Sequence, residues 1–247
     1  MTDPTPPETM RVHRRLALAG VASRRAAERL VAEGRVSVNG RVASVGQQVG
    51  PHDRIAVDGE AIESAEDLRA YLLHKRAGVV STAHDPQGRP TVLDDLPRGG
   101  GLCPVGRLDF DATGAVRTTN DGELAARLMR PRHTVPKTYE VLMRGHVSAA
   151  TIRKLRDGVQ LDDGMTLPAR VEAMERRYPG ASWVTIELTE GRNRQVKRMA
   201  EAVGHRVMRL HRARYAGLSV RGMQPGKWRP LTRAEWRRLG EMVGVKR

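Results

Sequence analysis

Apolar residues at helical spacing open the chain: Val12, Leu16 and Ala19 fall on one face, and Gly20 follows as a stop. Ser23 stands where an N-cap is needed. Ala26, Ala27, Leu30 and Val31 then form the apolar stripe of a second helix that ends at Gly34. The period changes after that. Val36-Ser37-Val38, the turn Asn39-Gly40 and a further Val read as strand and turn, and Arg54-Ile55-Ala56-Val57 before Asp58-Gly59 repeats the pattern. Residues 10–63 are therefore predicted to form a compact unit of two short helices and a few strands, small for independent stability. The polar, acidic stretch from Glu60 to Asp67 reads as a linker. A second unit, 68–247, begins with Tyr71-Leu72-Leu73, a short apolar run suited to a buried strand. Further strands are predicted from Lys137 to Met143, Leu167 to Met174 and Trp183 to Leu188. Helices are predicted from Gly122 to Met129, Ala149 to Arg156, Asn193 to Val203 and Arg233 to Val243, the last capped by Thr232. Strands and helices mix without a regular βαβ beat, which predicts an α+β fold rather than a doubly wound one.

Charge narrows the partner. The 247 residues hold 43 Lys and Arg against 28 Asp and Glu, a net +15, and the isoelectric point is near 11.1. Such an excess points to a polyanion, nucleic acid first and anionic membrane second. No stretch approaches the roughly 20 apolar residues of a membrane-spanning helix. The start, Met1 to Thr9, has no apolar signal core and reads as a disordered lead-in. The single cysteine, Cys103, excludes an intrachain disulfide and a multi-cysteine zinc site, and suits a reducing cytoplasm. A small buried hydrophobe describes it better than a nucleophile. Aromatic residues are 3% of the chain, too few for a binder built on stacked bases. The basic surface is expected to track phosphates and folded RNA shape.

The first block supplies a specific candidate. Ser23 caps a helix whose first turn carries Arg24 and Arg25. Cations there oppose the helix dipole at about 0.3–1 kcal/mol each, and a bound anion would reverse that cost. A merely solvated basic face is the alternative. The run Ala17-Leu18-Ala19-Gly20-Val21-Ala22-Ser23-Arg24-Arg25, continued by Gly34-Arg35-Val36-Ser37-Val38-Asn39-Gly40 and Arg41, resembles the S4 RNA-binding domain. The resemblance implies RNA contacts by Arg24, Arg25, Arg35, Asn39 and Arg41.

The central segment Pro104-Val105-Gly106-Arg107-Leu108-Asp109-Phe110-Asp111-Ala112-Thr113-Gly114 is the sharpest signal. An isolated Asp-x-Asp before Gly is ordinarily a turn. With its continuation Thr119-Asn120-Asp121-Gly122-Glu123-Leu124-Ala125, however, the segment resembles the Gly-Arg-Leu-Asp motif of pseudouridine synthases. That implies a catalytic Asp109, supported by Arg107 and Leu108. Converting uridine to pseudouridine breaks N1–C1′, turns the detached base and joins C5 to C1′. One ionised carboxylate suffices, attacking the sugar or taking a sugar proton, and cationic neighbours favour that form. No metal or other cofactor is expected. The resemblance also implies a base-holding Tyr139 in Lys137-Thr138-Tyr139. On its own, a strand Tyr would be packing.

A third motif runs from Leu188 through Glu190-Gly191-Arg192-Asn193-Arg194-Gln195-Val196-Lys197-Arg198 to Met199. Asn193 is the expected cap of a helix with the core face Val196, Met199, Ala200 and Val203. Its first turns again crowd cations at the unfavourable end. By resemblance, Lys197 pairs with the catalytic Asp, with Arg198 as fallback, while Arg192 and Arg194 contact phosphate. Beyond it, Arg206, Arg209, His211, Arg212 and Arg214 alternate imperfectly with apolar residues, which predicts a strand with one basic face. The histidines show no metal-ligand spacing.

Two positions depart from the family pattern. Arg117 replaces an apolar residue on an expected buried strand, where an unpaired charge costs several kcal/mol. Arg76 stands where the family favours Pro. The wording of the third motif is closer to the large-subunit rRNA branch than to the small-subunit one. The expected function is isomerisation of one rRNA uridine by a monomer. Its rivals are a non-catalytic rRNA-binding or ribosome-assembly factor, and a general basic nucleic-acid binder.

Overall fold

The computed structural model describes residues 9–62, 68–97 and 101–245. The lead-in up to Glu8 and linker residues 63–67 lie outside them. The chain forms two compact units. Of the described residues, the first takes those up to Arg69 together with 97, 101–103 and 119–121, and the second takes the rest.

In the first unit, α1 (Val12–Leu18) and α2 (Arg24–Ala32) pack with Val36, Val38 and Ile55 through Val12, Leu16, Ala27 and Val31. Ser23 caps α2 as its position in the sequence requires, its Oγ accepting from Ala26 N at 3.3 Å. Strands β1 (Val36–Val38), β2 (Arg41–Val42), β3 (Ile55–Val57) and β4 (Glu60–Ala61) form a sheet in the order β2-β1-β3-β4. The turns suit their residues: Asn39 and Gly40 lie at φ 52° and 78°, Asp58 and Gly59 at φ 53° and 84°. The second turn folds Glu60 and Ala61 back onto Val57 and Ala56. These two residues are therefore strand, not linker.

The second unit is built on β5 (Ala70–Lys75), β6 (Thr113–Thr119), β7 (Lys137–Arg144), β8 and β9 (the hairpin Gln160–Leu161, Gly164–Met165), β10 (Arg170–Tyr178), β11 (Ala181–Leu188), β12 (Val207–Tyr215) and β13 (Trp228–Pro230). All but the hairpin join in the order β10-β11-β7-β12-β6-β5-β13. The pairs β10–β11, β11–β7, β7–β12 and β5–β13 are antiparallel, and β12–β6 is parallel. The fold is α+β, with a mixed and mainly antiparallel sheet. Helices α3 (Gly122–Met129), α4 (Ala149–Asp157), α5 (Gln195–Ala202) and α6 (Arg233–Val243) accompany it, α6 beginning in a full capping box between Thr232 and Glu235. One sheet face, with Tyr139, Val141, Met143, Val184 and Ile186, packs on Leu155 of α4 and on Val196, Met199 and Ala200 of α5. The parallel pair β6–β12 approaches so closely that a Cβ at Gly114 would lie 2.3 Å from Arg212 O. Only glycine fits there.

Three local expectations fail. β10 starts at Arg170 rather than Leu167, because Leu167 N bonds Glu190 Oε1 and Ala169 N bonds Arg156 O, off the ladder. Asn193 does not cap α5. The preceding residue is Arg194 at φ 46°, and the Gln195 side chain ties the turn by accepting from Arg192 N at 3.0 Å. In β12 the basic face is broken, since Arg212 is buried. Among the described residues no helix is long and apolar enough to cross a membrane.

Candidate active site

A cavity of about 380 Å³ opens in the second unit. Arg107, Asp109, Lys137, Tyr139, Arg212 and Tyr215 are among its lining residues. Asp109 sits in the loop between residue 105 and β6, and three elements hold that loop. From the end of β5, the buried Lys75 Nζ donates to the carbonyls of Ala112 (2.7 Å), Asp109 (3.0 Å), Arg76 (3.1 Å) and Phe110 (3.3 Å). Ser81 Oγ donates to Leu108 O at 2.9 Å and accepts from Leu108 N at 3.1 Å. From β12, Arg212 donates through Nη1 to Arg107 O of the loop at 3.4 Å and through Nε to Ala115 O of β6 at 2.7 Å. Leu108 itself is buried in the core. A loop fixed by backbone carbonyls on one side and an apolar plug on the other holds its carboxylate in place.

Lys197 on α5 faces that carboxylate. Its Nζ lies 3.0 Å from Asp109 Oδ2 and 2.7 and 2.9 Å from the two oxygens of Asp111. Burial pulls the Lys197 pKa down, but the hydrogen bonds to Asp111 and Asp109 outweigh it, so the net shift is upward. Lys197 also draws the Asp111 carboxyl below its ordinary range, chiefly by that hydrogen bond. Asp111, to which the sequence assigned no role, is thus half of a two-carboxylate clamp on one ammonium. Its spacing from Asp109 was the available signal. Lys75 was missed for a different reason: its partners are main-chain carbonyls, which leave no trace in side-chain pattern. Burial lowers its pKa to about 8, with Asp111 and Asp109 pulling the other way.

The cavity wall around Tyr215 is cationic. The guanidinium carbons of Arg117 and Arg212 lie 3.8 and 4.6 Å from its ring centroid, and Lys137 Nζ lies 5.7 Å away. Lys137 is pushed down to about 8 by burial, then by Arg212 and Arg117. Arg117 finds no carboxylate and does not reach solvent. It is 2% exposed, none of its guanidinium nitrogens has a hydrogen-bond partner, and its charge rests on the Tyr215 ring.

Several expected RNA contacts are spent inside the protein. Arg192 donates to Glu190 Oε2 and Asp163 Oδ1, both at 3.1 Å, and to the carbonyls of Asp163, Gly164 and Met165. Arg198 pairs with Asp162 and Asp163 and donates to Asn193 O. It turns to the β8–β9 hairpin and leaves Asp109 to Lys197. In the first unit Arg35 is bidentate to Asp58 and also pairs with Glu33. Asn39 closes its own turn, with Nδ2 on Asp53 and Oδ1 accepting from Arg54 N. Arg24, Arg25, Arg41 and Arg194 are exposed and form no salt bridge among the described residues. Cys103 is half-buried, its thiol donating to Thr119 O and its pKa raised by burial and by Asp121. A raised pKa is the opposite of what a nucleophilic thiol needs.

Comparison with known proteins gives the same pattern at both ends of the chain. A family model described as RNA pseudouridylate synthase matches residues 69–202, and an S4 domain model matches residues 10–55. The chain is 42% identical over 234 residues to the ribosomal large subunit pseudouridine synthase B of Bacillus subtilis (strain 168), a match covering 93% of this chain and 95% of that protein. It is 43% identical over 241 residues to the protein of the same name from Escherichia coli (strain K12), covering 92% and 81%. A solved structure described as that of a pseudouridylate synthase superposes with TM-score 0.66 at 30% identity, covering 93% of this chain and 99% of that one.

Proposed function

Because the chain belongs to the RNA pseudouridylate synthase family, we propose that it isomerises one uridine of large-subunit ribosomal RNA to pseudouridine. The observation that carries the chemistry is the Asp109 carboxylate, on the cavity wall and in an ion pair with Lys197 at 3.0 Å. The target nucleotide leaves its helix and enters the cavity, at a cost of about a few kcal/mol that is least in a loop or bulge. Asp109 acts on the ribose, by attack at C1′ or by removing a sugar proton. The N1–C1′ bond breaks, the uracil turns, and C5 bonds to C1′. The C5 proton then leaves and N1 gains one, so the product is an isomer and no cofactor takes part.

Tyr139 packs against the base, and Lys197 orients the carboxylate. Arg107 and Arg194 reach the same cavity and contact backbone phosphate. In this reading residues 10–63 are the RNA-presenting S4-like domain, with Arg24, Arg25 and Arg41 as contacts, and residues 68–247 are the catalytic domain. The enzyme works as a monomer in the cytoplasm. The large-subunit target follows from the names of the two relatives.

Incubation with unmodified large-subunit rRNA, followed by pseudouridine mapping, tests the reading. The wild type should modify one site. Asp109→Asn should lose turnover by at least about 10³-fold while still binding the RNA. Modification that persists in the Asn variant would remove Asp109 from its role. Binding without modification by the wild type would favour an assembly factor.

A further inference from the structure

The far end of the sheet carries a second cluster of cations. β7 begins at the cavity with Lys137 and Tyr139 and ends five residues beyond Tyr139 at Arg144, roughly 17 Å away at about 3.3 Å per residue. There Arg144 lies opposite Ala181, and Arg177 opposite Ser182, which in turn pairs with Met143. Arg206 joins them, its carbonyl accepting from Arg144 N. Arg144, Arg177 and Arg206 are exposed, and among the described residues none of them forms a side-chain hydrogen bond or salt bridge.

Beside them runs a groove of about 580 Å³, whose lining includes His146, Tyr178 and Trp183 and a single carboxylate, Glu175. Arg176 lies over the Trp183 ring at 4.4 Å, and Arg209 is 5.7 Å from the Tyr178 ring. Trp183 is 5% exposed, yet its Nε1 has no hydrogen-bond partner.

The groups that this edge offers to a partner are guanidinium N–H donors, exposed and not engaged within the protein. Their complement is a chain of acceptors with repeated negative charge. A membrane surface fits poorly, because Tyr178 is the one large apolar side chain exposed in the groove's lining among the described residues, and it stands beside the exposed Arg144, Arg176, Arg177, Arg206 and Arg209. We propose that this edge is a second RNA-contact surface, which takes the phosphodiester backbone of the substrate at a distance from the target uridine. It rests on the reading of the chain as an RNA-modifying enzyme and adds a footprint to it. A long RNA touches both the cavity and the far edge, whereas a stem-loop trimmed to about four base pairs, roughly 14 Å at about 3.4 Å per pair, reaches the cavity alone.

The test uses the full chain and two RNAs: an unmodified large-subunit rRNA transcript, and a short stem-loop cut from it around the mapped site. The variant is Arg144→Gln/Arg177→Gln/Arg206→Gln. Arg176 and Arg209 are kept, because they cover aromatic rings. Binding to the long transcript should weaken by about tenfold, and its slope of log affinity against log salt should fall by up to about 2. Affinity and turnover on the stem-loop should not change, which also shows that the variant is folded. No loss on the long transcript, or the same loss on both RNAs, would overturn the proposal. Absence of turnover by the wild type on either RNA is a separate result: it removes the proposed reaction and leaves the binding comparison readable.

Discussion

The cations at the mouth of the cavity and those at the far edge of the sheet have the same formal charge and different employment. Near the mouth, Arg107 and Arg194 are exposed and unpaired among the described residues, but Lys197, Arg192 and Arg198 are taken by Asp109, Asp111, Asp162, Asp163 and Glu190. At the far edge Arg144, Arg177 and Arg206 face water. A cation already paired within the protein sets geometry, since releasing it for an external phosphate means breaking a charge-assisted bond first. An unpaired one gives up only its water and its side-chain freedom, the latter about 0.5–1.5 kcal/mol. The net charge of +15 therefore says that a polyanion is met, but not where.

The largest test of this contrast is Arg192→Ala. If Arg192 is a strut, its loss frees the β8–β9 hairpin and lowers unfolding free energy by about 2 kcal/mol, while the salt slope of RNA binding holds. Denaturant melts and a salt titration read the two effects. Weaker RNA binding at unchanged stability would make Arg192 a phosphate contact after all.

Lys75 gives an effect of similar or slightly smaller size through pH. Its pKa is about 8 in the folded chain against an ordinary 10.5. Between those values the unfolded chain holds more protons, so this group makes stability rise with pH across that window, and its penalty is present in full below it. Compared with Lys75→Met, the wild type should gain up to about 2 kcal/mol more between about pH 8 and about pH 10.5. Parallel stability curves for the two proteins would mean that the ammonium is not desolvated.

Arg117 belongs to neither class, being buried and unpaired. Arg117→Leu removes a charge with no acceptor and gives up one contact with the Tyr215 ring. A net gain of about 1 kcal/mol in stability is expected. A clear loss would show that the ring contact outweighs the desolvation.

Much of the fold was legible because periodicity and punctuation agreed. Thr232 announces α6, Ser23 announces α2, and Asn39-Gly40 announces its hairpin, each by a local rule that needs no distant partner. Order along the chain also placed Asp109 and Tyr139 in one motif series, and the fold sets both on one cavity wall. What escaped depends on contacts between segments far apart in sequence. Arg192 read as a phosphate contact, and Arg198 as a second choice for Asp109, because Asp162 and Asp163 come from a hairpin about 30 residues earlier. Arg212 read as surface because nothing local says that β12 runs through the middle of the sheet. Asn193 read as a cap because the Gln195 side chain, which does that work, has the weaker capping preference.

The Lys75 ammonium reaches across the chain to the carbonyl of Asp109, 34 residues later. A partly folded molecule, in which β5 has not docked, cannot hold the 106–112 segment in its working shape, because the entropy of closing that span is not yet offset by native contacts. Competence and completion of the sheet then arrive together.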